Sequence, residues 1–157
     1  TLQLDFAAGK AFDMSYIDAN GEKKTPFVIH RSSIGCYERT LAMLIEKYAG
    51  AFPLWISPLQ VKILSVTDRS IDYAQSLADK LTYAGIRVEC DFRSEKIGRK
   101  IRDAQLEKIP YMLVLGDREV ENGSTVSVRE RNGENYEMST DEFIAKIVFE
   151  DKNKVIK

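Results

Sequence analysis

Hydrophobic and polar positions follow different spacings in different parts of this 157-residue chain. In the larger, C-terminal part, apolar runs of strand length alternate with segments whose apolar residues recur every three or four positions. This alternation predicts an α/β fold, with strands at 61–66, 86–91 and 111–115 separated by helices at 70–84 and 95–108. Because the strands are almost continuously apolar, we expect a mixed sheet with a parallel βαβαβ core, right-handed crossovers and helices on both faces.

The first thirty residues have a different pattern, in which apolar and polar residues alternate over 2–6. Further extended runs at 12–17 and 25–30 are joined through Asn20–Gly21, a strong hairpin signal. The pattern therefore predicts a small antiparallel unit at the start of the chain.

A helix is expected to follow this unit, beginning at Ser32 or Ser33 and ending at Gly50. Residues 51–58 then break all periodicity with two prolines, which indicates a packed linker. Together these changes predict an antiparallel strand-plus-helix part at 1–50, a linker at 51–59 and an α/β domain at 60–157.

The last forty residues carry mainly turn and cap signals. They predict short extended runs at 119–120 and 124–129, a hairpin at Asn132–Gly133, a helix opened by the capping pair Ser139 and Glu142, and a frayed end at 151–157.

Composition excludes several classes of protein. The chain is 44% hydrophobic and 30% charged, with a net charge of −1, and no run reaches the length of a transmembrane helix. Disordered and membrane proteins are therefore excluded. Cys36 and Cys90 have neither metal-ligand nor disulfide-framework spacing, which fits a reducing cytoplasm. The chain begins at Thr1 without an initiator Met, so we expect further sequence upstream.

A local excess of positive charge lies in residues 93–102, where five basic side chains accompany Glu95 alone. Ligands of parallel sheets bind outside the carboxyl ends of the strands. Arg93 and Ser94 follow the second predicted strand, and Arg118 and Glu119 follow the third, so we expect them to converge at one rim. Their mixed donors and acceptors suit unpaired RNA bases. The competing interpretation is a solvated helix face with an ordinary Glu95–Arg99 pair.

The run from His30 to Arg39 carries a more specific signal. It leads a strand through Gly35 into a helix that begins with Glu38 and Arg39, and it resembles motif 3 of class II aminoacyl-tRNA synthetases, in the version of the threonyl-tRNA synthetases. Residues 1–6, Thr-Leu-Gln-Leu-Asp-Phe, resemble a strand of the same family.

A second resemblance covers 51–157. It rests on four landmarks in the family's order: Phe52–Pro58, Asp91–Gly98, Lys100–Arg102 and Lys108–Val120. These resemble the anticodon-binding domain of bacterial threonyl-tRNA synthetases. The chain is thus identified as a C-terminal piece of this family, with the end of a class II catalytic domain followed by the anticodon-binding domain.

The resemblance implies roles for seven residues. Arg39 matches the catalytic arginine that holds ATP phosphates, and His30 matches one of three zinc ligands, whose two partners are not in this chain. Residues matching the anticodon-binding set are Ser94, Arg102, Arg118, Glu119 and Arg129. Lys96 and Lys100 are expected to attract phosphates only. Ser94 stands where the family usually has Asn, and Cys36 where it usually has Ser. Apart from the family, His30 at a strand end could be purely structural and Arg39 could simply pair with Glu38.

For the full-length parent, the resemblance implies a homodimeric cytoplasmic ligase that joins threonine to tRNA(Thr) using ATP and Zn²⁺. We expect the present piece to bind the anticodon but to lack catalysis, bound cofactors and any membrane association. Two alternatives stay open: a stand-alone RNA-binding paralogue without catalysis, and a flavodoxin-like small-molecule or signalling module. No Gly-rich phosphate loop follows Val66, which weighs against the second alternative.

Overall fold

The computed structural model describes residues 1–156 and divides into two compact units, Thr1–Leu44 and the described residues from Ile45 onward. The strands are β1 (Leu2–Asp5), β2 (Tyr16–Ile17), β3 (Lys23–Lys24), β4 (Val28–Arg31), β5 (Val61–Ser65), β6 (Val88–Asp91), β7 (Tyr111–Leu115), β8 (Thr125–Glu130) and β9 (Asn135–Ser139). The helices are α1 (Ala8–Ala11), α2 (Tyr37–Tyr48), α3 (Ile71–Tyr83), α4 (Ile97–Leu106), α5 (Asp117–Asn122) and α6 (Thr140–Lys152).

The first unit consists of two small antiparallel pairs, β1 with β4 and β2 with β3. Gly9 is the only buried residue among residues 1–44. A Cβ atom at Gly9 would lie 2.2 Å from the carbonyl oxygen of Pro26, so only glycine fits there. This unit therefore has antiparallel strands, as expected, but it buries no apolar side chain of its own.

Two local predictions for the first unit are wrong. The extended run expected at 12–17 is reduced to β2, because α1 turns the chain just before it. The helix expected from Ser32 or Ser33 begins only at Tyr37. Gly35 has φ +93°, which a right-handed helix does not allow, and its amide donates to Ser32 Oγ in a turn.

The second unit is built on a five-stranded sheet of order β6-β5-β7-β8-β9, in which β6, β5 and β7 are parallel and β8 and β9 antiparallel. Alternate residues of the strands enter two separate cores. Core side chains on one face pack against α3 and α6: Val61, Ile63, Leu113, Val126, Leu77, Leu81, Phe143 and Ile147. On the other face a smaller core forms beneath α4: Leu64, Met112, Ile101 and Ala104. The predicted mixed sheet with helices on both faces is confirmed.

The smaller core contains no side chain from β8 or β9. The residues of these strands that point to the face of α4 are Thr125, Ser127, Arg129, Asn135, Glu137 and Ser139, and all are half-buried or exposed. This surface is called the open face below.

Three local differences separate the second unit from the sequence-based prediction. Helix α4 begins at Ile97 and not at Glu95, and α5 replaces the extended run expected at 119–120. Asp151 belongs to α6 and accepts a hydrogen bond from Gln60 Nε2, so fraying from 151 is wrong for this residue. The hairpin of β8 and β9 and the Ser139–Glu142 capping box are confirmed.

The segment that precedes β5, residues 51–57, is called the strap below. Its backbone carbonyls are bound by side chains of the second unit. Arg131 Nη1 donates to Phe52 O, Gln60 Nε2 to Leu54 O, and Arg87 to Trp55 O and Ser57 O, at 2.9–3.1 Å. Leu54 is buried in the larger core. The predicted packing of this segment is confirmed.

Candidate nucleic-acid interface

The open face has Arg129 near its centre. Arg129 lies on β8 directly between Met112 of β7 and Asn135 of β9. Its Nε atom is buried and makes no hydrogen bond within the described residues. A buried donor without an acceptor is costly, so the hydrogen bonding of this guanidinium is incomplete within the domain.

Helix α4 borders the open face. Its residues Asp103 and Glu107 form ion pairs on the β6 side of the sheet, with Arg93 and Lys62 respectively. Arg102 is exposed on α4, where it lines a surface pocket with Gly98, Arg99 and Asp103. Because α4 packs on the sheet face to which Met112 and its neighbour Arg129 point, Arg102 and Arg129 lie on the same side of the sheet.

The loop between β6 and α4, residues 92–96, carries Ser94 fully at the surface. Arg93 in this loop binds the Asp91 carboxylate with two nitrogens and also binds Asp103. These bonds keep the pKa of Asp91 below its usual value, mainly through the hydrogen bonds from Arg93. Acidic side chains of the domain thus occupy Nε and Nη2 of Arg93, while the side chain stays half exposed.

At the carboxyl end of β7, Arg118 is exposed, whereas Glu119 is half-buried. Glu119 Oε2 accepts the backbone N–H of Gly116 at 2.8 Å and so stabilises the start of α5. Thr67 Oγ1 donates to Asp117 at 2.9 Å and ties the same turn to the end of β5. Glu119 therefore has a structural contact through Oε2, and its Oε1 takes no part in that cap.

Lys100 is where the structure departs furthest from the sequence-based hypothesis. Its expected role in attracting phosphates is wrong, since Lys100 is only 2% exposed. Its ammonium donates to Ser65 O, Ser65 Oγ and Asp91 O. The sequence held a signal for this burial, because Lys100 falls on the apolar face of α4 with Ile97 and Ala104. Lys96, by contrast, is exposed.

His30 and Arg39 belong to the first unit, whereas the residues above belong to the second. The His30 ring lies 3.3 Å from the Asp5 carboxylate, and Arg39 is exposed in the first turn of α2. Among residues 1–156, no three His, Cys, Asp or Glu side chains are grouped so as to hold a metal ion. Cys36 and Cys90 are free thiols, and burial raises the pKa of Cys90 to about 11.

Sequence reasoning also missed a polar network on the opposite face of the sheet. Lys146 of α6 donates to Glu130 and to the Tyr136 hydroxyl, which itself donates to Glu130 at 2.7 Å. Tyr111 donates to Glu150 at 2.7 Å beside this group. The network joins α6 to the hairpin that carries Arg129, and only the alternation of polar residues on β8 and β9 hinted at it.

The second unit is an open mixed sheet bordered by α4, and comparison with known proteins identifies its family. Residues 60–150 match the anticodon binding domain family, and the chain belongs to that family.

Two similar proteins are threonine–tRNA ligases of Clostridium species. The chain is 62% identical over 134 residues to a threonine–tRNA ligase of Clostridium botulinum strain Eklund 17B, covering 85% of this chain and 21% of that protein. It is 57% identical over 155 residues to the corresponding ligase of Clostridium perfringens strain SM101, covering 98% and 24% respectively. The chain therefore spans about a quarter of the length of these relatives.

A solved structure agrees with the sequence comparison. The RNA binding domain of threonyl-tRNA synthetase from Cryptosporidium parvum matches with a TM-score of 0.75 and 33% identity, over 93% of this chain and 37% of that one. The resemblance inferred from the sequence motifs is confirmed. No helix in the described part of the chain has the length and apolar character needed to span a membrane.

Proposed function

We propose that this chain binds the anticodon of tRNA(Thr), as the C-terminal part of a threonyl-tRNA synthetase. The observation that carries the proposal is the buried, unpartnered Nε of Arg129 on a sheet face that no apolar core covers. RNA bases splayed out of a loop carry acceptors on their edges and could supply the missing partner.

Five residues are assigned to the anticodon interface: Ser94, Arg102, Arg118, Glu119 and Arg129. Arg102 and Arg129 provide guanidinium donors, which match paired acceptors on base edges. Glu119 provides an acceptor for base amino groups through the oxygen that does not cap α5. Lys96, exposed at the start of α4, supplies attraction to phosphates without sequence preference.

The first unit is assigned to the end of a class II catalytic domain. Apolar side chains such as Leu4, Phe27 and Ile29 are exposed in it. A unit of this size with no buried apolar side chain gains stability only when other parts of a protein cover it. We assign that covering to the remaining three quarters of the parent. We propose the domain division 1–50, 51–59 and 60–157, whereas the compact units of the structure divide between Leu44 and Ile45, within α2.

The parent is proposed to be a homodimeric cytoplasmic enzyme that ligates threonine to tRNA(Thr) with ATP. Arg39 binds ATP phosphates there, and His30 is one of three zinc ligands. The imidazole of His30 is accessible, and the described residues form no group of three that would hold the metal. The present piece alone is proposed to lack catalysis. The family match gives no support to a flavodoxin-like module.

The proposal is tested by filter binding of the full chain to tRNA(Thr) and to the same tRNA with a changed second anticodon base, at two salt concentrations. We expect tighter binding of the unchanged tRNA at both concentrations. Equal binding of both tRNAs would contradict anticodon reading. Loss of all preference together with a natural reading frame no longer than this chain would favour the RNA-binding paralogue without catalysis.

A further inference from the structure

Lys100 is a buried lysine, and contact with RNA does not explain its position. An ammonium at 2% exposure must find hydrogen-bond acceptors inside the protein, because its hydration shell is lost. Lys100 Nζ has three hydrogens and three acceptors: Ser65 O at 2.8 Å, Asp91 O at 3.0 Å and Ser65 Oγ at 3.3 Å. Its donors are fully used within the domain, so it has none to offer to a ligand.

The acceptors lie at a specific place in the sheet. Ser65 is the last residue of β5 and Asp91 the last residue of β6, so their carbonyl oxygens stand at the carboxyl ends of two neighbouring parallel strands. Ser65 Oγ also donates to Asp91 O, at 3.1 Å. The ammonium of Lys100 therefore fixes the point at which the chain leaves β6.

The backbone of Lys100 acts on the other end of the same loop. Its N–H donates to Lys96 O at 3.3 Å, within the first turn of α4. Lys100 thus binds the two ends of the loop 92–96. Its side chain binds Asp91, which precedes the loop, and its backbone binds Lys96, the last residue of the loop. Within the loop, Arg93 N donates to Asp91 Oδ1 and Glu95 N donates to Arg93 O. Ser94 sits at the exposed middle of a loop whose two ends are joined by one residue.

We propose that Lys100 is a positioning residue for the anticodon-binding loop: it fixes the loop 92–96 so that Ser94 meets RNA bases in one geometry. This inference rests on the proposed function, since it assigns to Ser94 a contact with RNA. It replaces phosphate attraction as the role of the most buried member of the basic run. Preorganised polar groups lose less entropy on binding and discriminate better between ligands.

The test compares Lys100→Met with Lys96→Met, a matched loss of charge from an exposed site four residues earlier. Each full-chain variant is titrated with tRNA(Thr) and with the tRNA carrying a changed second anticodon base. For Lys100→Met we expect the ratio of the two dissociation constants to fall by roughly fivefold or more. For Lys96→Met both constants should rise together and the ratio should stay as in the unmodified chain.

A second measurement separates positioning from mere loss of stability. Hydrogen exchange of the Arg93 and Glu95 amides should accelerate in Lys100→Met, while amides in β7 keep their protection. If Lys100→Met does not fold, Ser65→Ala serves in its place, because it removes one acceptor of Lys100 and the bond from Ser65 Oγ to Asp91 O. We expect the same changes in smaller degree.

The outcomes can be told apart. If the unmodified chain discriminates and the variants keep its ratio while their melting temperature falls, Lys100 has only a structural role and the inference is overturned. If the unmodified chain itself fails to discriminate, the proposed function is overturned, and the role of Lys100 in base reading with it. Loss of discrimination in Lys100→Met but not in Lys96→Met supports the inference.

Discussion

Arg93 and Asp91 form a two-bonded ion pair at the carboxyl end of β6, with Nη2 2.7 Å from Oδ2 and Nε 3.0 Å from Oδ1. The Asp91 side chain is only 3% exposed, so the pair is well shielded from water on the carboxylate side. Arg93 Nη2 extends the pair to Asp103 at 2.9 Å. Removal of the Asp91 charge should therefore cost stability.

The first prediction follows from the lowered pKa of Asp91. Since this carboxyl is more acidic in the folded chain than in the unfolded one, its contribution is complete above the unfolded pKa, about 3.9. The contribution is lost as the pH falls further, through the folded pKa. We expect Asp91→Asn to lower the urea midpoint at pH 7, with the difference shrinking below about pH 4. A matched change at exposed Asp72 should have little effect, and an Asp91 effect equal at pH 7 and pH 3 would contradict the assignment.

The second prediction separates the two roles of Glu119. Glu119→Gln keeps an oxygen that can accept the Gly116 amide, whereas Glu119→Ala removes it. We expect Ala to lower the free energy of unfolding by about 0.5–2 kcal/mol, and Gln to leave it nearly unchanged. Both should reduce discrimination at the changed anticodon base, because the carboxylate acceptor is lost. Thermal melts and tRNA titrations measure the two effects; full discrimination by the Gln variant would remove Glu119 from the reading set.

The third prediction contrasts base reading with charge attraction. Arg129→Gln should cost on the order of 1–3 kcal/mol in binding of tRNA(Thr) and flatten the preference between anticodon variants. Lys96→Ala should weaken all tRNAs alike and reduce the slope of log K against log salt by about one unit. Titrations at several salt concentrations check both. A uniform loss for Arg129→Gln would place Arg129 among the phosphate contacts.

The fourth prediction concerns the network behind the open face. Lys146→Met leaves the Glu130 carboxylate without its charged partner on α6, and we expect a loss of about 1–3 kcal/mol in unfolding free energy. Lys152→Met, on the exposed end of the same helix, should change it by less than about 0.5 kcal/mol. Urea unfolding of both variants decides the comparison, and equal effects would show that Lys146 acts only as a surface charge.

The fifth prediction is that the chain holds no stoichiometric zinc. A catalytic zinc site needs three protein ligands, and His30 is the only histidine in the sequence. After dialysis against zinc-containing buffer and then buffer alone, elemental analysis should find well below one zinc per chain. Near-equimolar zinc would contradict this prediction.

Strongly periodic elements could be predicted from the sequence because their signals are local. The apolar strands β5 and β7, helix α3 and the capping box of α6 all lie where the pattern places them. The start of α2 at Tyr37 could not be predicted from the sequence, since it depends on the positive φ of Gly35. The start of α5 is capped by the hydrogen bond from the Gly116 amide to Glu119 Oε2, a contact that no hydrophobic periodicity predicts.

The residue types of the candidate site could be predicted from the sequence, but the burial and hydrogen-bond partners of these residues could not. Family motifs pointed to Arg102, Glu119 and Arg129, whereas only three-dimensional packing reveals that Arg129 Nε lacks a partner. Lys100 shows the opposite case. Its charge suggested the surface, yet its spacing with Ile97 and Ala104 indicated the interior, and the spacing was the better guide.

The hydrogen bonds of the strap place the start of the folded domain at an earlier residue than the start of the family match. The match to the anticodon binding domain family begins at residue 60, but Gln60, Arg87 and Arg131 bind carbonyls of residues 52–57. A polypeptide cut at residue 60 would remove the acceptors of the Arg87 guanidinium and one acceptor each of Gln60 and Arg131, and would take Leu54 out of the core. The segment that matches the family is thus shorter than the segment that completes the core and the hydrogen bonds of the domain.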